Sequence, residues 1–206
     1  MNNAIVYLAG AAYSPEEASG MKAAASFLES RGFDVYLPPH DGLGPPLTLF
    51  EPGELDRSKL ATLTLALAVF QLARRCDCLV LNLNGRVPDE GGAFEAAMAF
   101  TLGTPVVLYK RDHRSELHGQ DNAMITGLSH DFSSVRTVKR LPDKIMKAVG
   151  RYPRPSGRTA DIPSHLHKTV ELGDSVWRLL EKFRKAGVSP GPAELAALHD
   201  AYRVVT

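Results

Sequence analysis

The feature that most constrains this chain is a rhythm. Short apolar runs, each closed by glycine or proline, alternate with stretches of helical periodicity. Ala4-Ile5-Val6-Tyr7-Leu8-Ala9 is β-branched at its centre and ends at Gly10. Phe33–Leu37 is stopped by Pro38-Pro39, and Asp77–Leu83, Pro105–Tyr109 and Phe132–Val138 follow. Continuous apolar runs of this length suit strands buried on both faces.

The gaps between the runs read as helices. Ser14-Pro15-Glu16-Glu17 supplies a cap, a proline at the first helical position and acids in the first turn. Met21, Ala24, Ala25 and Leu28 then share a face, and Gly32 ends the helix. A long helix is expected over 53–75, with Arg74 and Arg75 suiting its negative end, and shorter ones over 91–102 and 141–149. Residues 40–52 are rich in proline and glycine and read as a loop. Alternating strands and helices imply a parallel sheet covered on both faces. Five strands point to a flavodoxin-like, doubly wound α/β fold. Ligands of such sheets bind beyond the carboxyl ends of the strands, so the loops after Tyr7, Leu37, Leu83 and Tyr109 line the expected site.

The character changes after Gly150. Residues 151–158, RYPRPSGR, read as a linker, and 163–186 and 190–204 read as helices. The expected division is therefore a core of residues 1–150 and a C-terminal helical extension of residues 151–206, packed on the core or on a partner chain.

Composition narrows the function classes. The formal net charge of +1 offers no global field for nucleic acid. The longest apolar stretch, within Leu60–Ala73, is broken by Thr and Gln and is too short to span a bilayer. Cys76 and Cys78 are the only cysteines, placed too close on one strand for disulfide geometry. That suits a reducing compartment, and with no apolar leader at the N-terminus the expected location is the cytoplasm. His165 and His167 lack further ligands nearby, so no metal site and no cofactor are expected.

The chemistry-bearing stretch is Asp89-Glu90-Gly91-Gly92-Ala93-Phe94-Glu95, where the third strand hands over to a helix. Each acid has a plain reading as a cap or dipole partner, worth roughly 0.5–1 kcal/mol. Against it stand the position at the ligand end of the sheet and two glycines that cost roughly 1 kcal/mol each in a helix. A carboxylate near a helix N-terminus is expected to be held ionised, able to attack an electron-poor carbon such as a sugar's anomeric carbon. Glu95 is the best placed for this. The glycines lack the Lys-Ser/Thr of a phosphate loop, and the first turn has only Gly10 where a dinucleotide fingerprint needs three.

Residues 4–140 resemble the nucleoside 2-deoxyribosyltransferase family. Four stretches carry the likeness: Tyr7-Leu8-Ala9-Gly10 with Tyr13, Asp77 opening a strand, Asp89 six residues before Glu95 with glycine between, and Asp121-Asn122-Ala123-Met124-Ile125. The resemblance implies that residues 1–150 form a deoxyribosyltransferase-like domain. It implies Glu95 as nucleophile, forming a covalent deoxyribosyl ester that a second nucleobase or water resolves. Tyr7 would hold Glu95, Asp89 would accept from sugar hydroxyls, and Tyr13 would stack on the base, with Gly10 and Gly91 giving bare backbone. Asn122 and Met124 would reach a neighbouring subunit's site, so a homo-oligomer is expected. The partners implied are a nucleoside and a nucleobase, with no nucleic acid and no membrane.

Two departures from the family pattern matter. Val69 stands where the family carries Asp or Asn, which leaves Gln71, Asp41 or His40 as substitutes. Asp41 is the candidate for contacting or protonating the base, and suits an Asp-Gly turn equally well. The tail also exceeds the family's usual length. The alternatives are a hydrolase of nucleosides or nucleoside 5′-monophosphates, and a non-catalytic module binding a phosphate-bearing ligand through Lys110, Arg111 and Arg114. Asp89 argues against a phosphate in the sugar site, because a carboxylate beside a dianion is repelled by roughly several kcal/mol at 4 Å.

Overall fold

The computed structural model describes residues 3–44, 56–84, 89–111, 122–152 and 162–203. They form two compact units, residues 1–37 with 75–160 and residues 38–74 with 161–206.

The first unit is built on five parallel strands: β1 (Ile5–Gly10), β2 (Asp34–Tyr36), β3 (Cys78–Asn82), β4 (Val106–Tyr109) and β5 (Ser134–Val135). Their order is β2-β1-β3-β4-β5, with β1 against β3 in the register Tyr7↔Leu79 and Gly10↔Asn82. This is the flavodoxin-like arrangement expected. Helix α1 (Pro15–Glu29) starts at Ser14, whose side chain accepts from Glu17 N while Glu17 reaches back to Ser14 N, a reciprocal capping box. On one face of the sheet, Val6, Leu8, Cys78, Val80, Val107 and Tyr109 pack with Met21, Ala24, Ala25 and Leu28 of α1. Leu141 and Ile145 join the same core. Those two residues lie on a helix labelled α6 below. The opposite face carries Tyr7, Ala9, Leu79, Leu81 and Leu108, all buried.

Strand β5 spans two residues where seven were expected. Its segment, Phe132-Ser133-Ser134-Val135-Arg136, holds one buried residue and lies at the sheet's edge, with pairing to β4 alone. Asp77 accepts from Ile5 N at 2.8 Å through Oδ2, which ties the amino end of β1 to the start of β3. Cys76 and Cys78 are both free and buried.

The second unit is helical. Helix α2 (Pro38–Asp41) occupies the start of the segment read as a loop. Helix α3 (Arg57–Phe70) starts at Asp56, whose Oδ1 accepts from Ser58 N at 2.7 Å, and gives way to a wider π turn at Gln71–Arg75. In chain order α4 (Glu90–Thr101), α5 (Ala123–Thr126) and α6 (Leu141–Arg151) belong to the first unit. Helix α4 packs on β1, β3 and β4. The tail supplies α7 (His167–Lys185) and α8 (Pro192–Arg203) to the second unit. Helix α3 packs along α7 so closely that a side chain at Gly173 would collide with the carbonyl of Ala66 and lie 2.5 Å from Phe70 Cβ. Lys59 on α3 reaches both carboxylate oxygens of Asp200 on α8 at 2.7 Å.

The segment 38–74 groups with the tail, because α3 buries Leu63, Ala66, Leu67, Val69 and Phe70 and α7 buries Val170, Leu172, Val176, Trp177 and Leu180. Of the expected elements, residues 45–55, 153–161 and 204–206 lie outside the described residues. Among the described residues no helix is long and apolar enough to cross a membrane.

Candidate active site

At the carboxyl end of β1, the chain must turn sharply and lie close to β3. Gly10 has φ +147, and a Cβ there would sit 2.8 Å from Asn82 O and 2.9 Å from Asn82 Cβ. Only glycine fits both the conformation and the space. The turn delivers Tyr13, which is 80% exposed. Glu17 holds this turn as well as capping α1, since its Oε2 accepts from Tyr13 N at 3.0 Å. The Ser-x-x-Glu spacing is the sequence signal for that role, beyond the fit of Glu17 to the helix dipole.

After β3, Asp89 caps α4. Its Oδ2 accepts from Gly92 N at 2.7 Å, and its Oδ1 accepts from the Tyr13 hydroxyl at 2.7 Å. The two loops at the switch between β1 and β3 are thus joined by one carboxylate. That bond also raises the Tyr13 phenol's pKa above its ordinary value, with the Asp89 charge adding to it. The two glycines differ. A Cβ at Gly92 would meet Asp89 Oδ2 at 2.8 Å and Leu81 Cδ1 at 3.1 Å, whereas one at Gly91 would touch only Asp89, at 3.7 Å. Gly92 is needed for close approach and Gly91 is not.

Glu95 is the sixth residue of α4, one turn and a half beyond the cap, and is partly buried. Tyr7 lies beneath it on β1 with 0% exposure, and its hydroxyl donates to Glu95 Oε1 at 2.7 Å. Tyr36 flanks the Tyr7 ring at 5.1 Å between centroids. Burial pushes the Glu95 carboxyl from 4.5 to about 7, opposed by the Tyr7 hydrogen bond and helped by the negative charge of Asp89. This corrects the expectation that the helix N-terminus keeps Glu95 ionised. The macrodipole acts within the first turn, and Glu95 lies past it. Desolvation prevails, and a carboxyl balanced between its two forms near neutrality results. Burial, and then the Glu95 charge, raise the Tyr7 phenol well above its ordinary value, so Tyr7 remains a donor.

The other candidates belong to other elements. Asn122 caps α5, its Oδ1 accepting from Met124 N at 2.9 Å. Met124 is 80% exposed. Asp41 belongs to the second unit, where its carboxylate meets His40 Nδ1 at 2.8 Å and its carbonyl accepts from Arg184 Nη2 at 3.0 Å. Val69 is 1% exposed on α3, and Gln71 is fully buried in the π turn. Arg114 lies outside the described residues.

The family model described as nucleoside 2-deoxyribosyltransferase matches residues 6–128. No curated protein matches the chain significantly. Among solved structures, a conserved protein from Enterococcus faecalis V583 superposes with a TM-score of 0.55 at 21% identity, covering 70% of this chain and 98% of its own. A 2-deoxyribosyltransferase from Bacillus psychrosaccharolyticus superposes with a TM-score of 0.52 at 21% identity, covering 67% of this chain and 90% of its own. At that identity the superpositions establish the fold.

Proposed function

The chain belongs to the nucleoside 2-deoxyribosyltransferase family, and from that premise we propose that it transfers a deoxyribosyl group between nucleobases through Glu95. The observation that carries the reading is the Tyr7–Glu95 pair. A buried phenol donates to one oxygen of a carboxylate that retains access to solvent at the ligand end of the sheet.

The chemistry follows from that geometry. With Oε1 engaged by Tyr7, Oε2 of ionised Glu95 is the oxygen that attacks C1′ of the bound nucleoside. The C1′–N bond breaks, its electron pair leaves with the base, and the base takes a proton from solvent. A nitrogen of a second base then attacks C1′ and releases its proton to solvent, the ester C–O bond breaks with its electron pair going to Glu95, and the carboxylate returns to its hydrogen bond with Tyr7. Two displacements at one carbon retain configuration. Partial desolvation raises the energy of the ionised nucleophile before attack, and the Tyr7 hydroxyl steadies it when it leaves. Asp89, already orienting Tyr13, keeps lone pairs for sugar hydroxyls and disfavours a 5′-phosphate. Tyr13 offers an aromatic face to the base. Asn122 and Met124, both exposed, are the surface through which a second copy completes the site.

The test is incubation of the protein with a deoxynucleoside and a free acceptor base, followed by chromatography. A new nucleoside carrying the acceptor base is the expected product. Free deoxyribose without exchange would replace transfer by hydrolysis. Saturable nucleoside binding without either product would reduce the protein to a binding module.

A further inference from the structure

Along the β5 edge of the first unit runs a groove of about 580 Å³ lined by Ser133, Ser134, Thr137, Arg136, Arg140 and Lys147, with Asp143 and Lys144. It is built from the edge strand and α6, a different part of the unit from the β1–β3 crevice that holds Glu95. From its unmatched charge we infer that this groove binds a compact, phosphate-bearing anion.

The charges do not cancel locally. Lys144 is committed, donating to Asp131 and to Ser133 Oγ at 2.7 Å. Against the cost of partial burial, hydrogen bonds from Lys144, Ser133 and Ser129 hold the Asp131 carboxyl below the ordinary range, so that pair is charged and closed. By contrast, the side chains of Arg136, Arg140 and Lys147 make no hydrogen bond or ion pair with any described residue. Asp143 is one helical turn before Lys147 yet forms no ion pair with it. Among the described residues, three cations of the groove without a partner thus stand against one such carboxylate, in a chain whose formal net charge is only +1.

Ser133 is engaged with Lys144 and Asp131, but two positions at the turn into α6 lack capping bonds. Thr137 heads the 3-10 turn Val138–Arg140 and makes no capping bond with its side chain. Arg140 precedes α6, which likewise has no side-chain cap. Guanidinium groups favour phosphate by bidentate hydrogen bonds, and a hydroxyl completes the shell. The groove's volume suits a small molecule. The low net charge and the groove's small extent favour a short phosphate chain over a nucleic acid, which needs a track of cations over many phosphates.

The experiment is titration calorimetry of the full chain with sodium tripolyphosphate at low ionic strength. Saturable binding at one site per chain is expected. Arg136→Ala, Arg140→Ala and Lys147→Ala should each weaken it by about tenfold, as loss of one charge-assisted contact does. All three side chains are exposed, so the substitutions should leave the fold intact, which an unchanged melting temperature checks, and nucleoside exchange should persist in each variant. A nucleoside triphosphate that binds more tightly than tripolyphosphate through the same residues makes a nucleotide the source of the phosphate; equal affinity makes the phosphate chain itself the ligand. Absence of saturable binding overturns the inference. So does binding indifferent to the three substitutions, or displacement by a single-stranded oligonucleotide at equal phosphate concentration.

Discussion

The hydroxyl of Tyr7 lies 2.7 Å from Oε1 of Glu95, and of the two side chains only Glu95 reaches solvent. The bond favours the charged carboxylate, while the burial around it favours the neutral acid and prevails. In the free protein the nucleophilic form therefore grows as pH rises through about 7. The rate of sugar-ester formation should rise across that window and level off above it. A rate independent of pH between 5 and 8 would contradict this.

Tyr7→Phe removes the contact that lowers the Glu95 pKa, so the rising limb of the pH–rate profile should move to higher pH. The maximal rate should fall by about 10- to 100-fold, the usual scale for one oriented group at a reacting centre. Stopped-flow or quench measurement of the first turnover, over a pH series, separates the two effects. An unshifted profile with a lowered plateau would leave Tyr7 as a packing residue.

Glu95→Gln should abolish exchange and yet stabilise the fold at alkaline pH. The folded carboxyl titrates at about 7 and the unfolded one at about its ordinary 4.5. Between those values the native state holds a proton that the unfolded chain has released, so stability falls as pH rises through the window. The cost is complete above 7 and amounts to ~3 kcal/mol. Urea denaturation at pH 5 and pH 8 checks it. The variant should gain much more on the wild type at the higher pH, and equal gains at both would refute the assignment.

The adjacent glycines of α4 should respond in opposite directions. Gly91→Ala brings its Cβ only into ordinary contact with Asp89, at 3.7 Å, and should gain roughly 0.5–1 kcal/mol from helix propensity. Gly92→Ala drives a methyl against Asp89 Oδ2 and Leu81 Cδ1, displacing the cap and the Tyr13 contact with it. It should lose about 1–3 kcal/mol and most of its activity. Thermal melts of the two variants suffice, and stabilisation by both would show that the close approach is not real.

Met124→Asp tests the shared site. Met124 is 80% exposed, so the charge costs the isolated fold little, within about 0.5 kcal/mol. Native mass spectrometry should show weakened self-association, with activity falling in parallel. A monomeric wild type that is fully active would remove the shared-site reading.

The sheet was legible because its strands carry continuous apolar runs, and β5 was overread because Phe132–Val138 contains only one buried residue, at an unpartnered edge. Caps were legible where a side chain bonds the chain within three residues, as at Ser14 and Asp89. The state of Glu95 was not, since it depends on what surrounds the carboxyl and not on the spacing that located it. The contrast between Gly91 and Gly92 was hidden for the same reason: Leu81 and Gly10 approach one of them from other strands. Nor could the pattern show that α3 belongs with a tail some hundred residues later, because an apolar helix between two strands reads equally well as a crossover.

The union of residues 38–74 with 161–206 has a consequence for biosynthesis. As the polypeptide emerges from the ribosome, α3 appears early, whereas α7, whose Gly173 admits it so closely, is made among the last segments. Until translation is nearly finished, the face of α3 that packs on α7 lacks that partner. A nonsense codon near position 150 would leave that flank bare, so a truncated product should be prone to clumping and to chaperone capture even though every strand of the sheet has been synthesised.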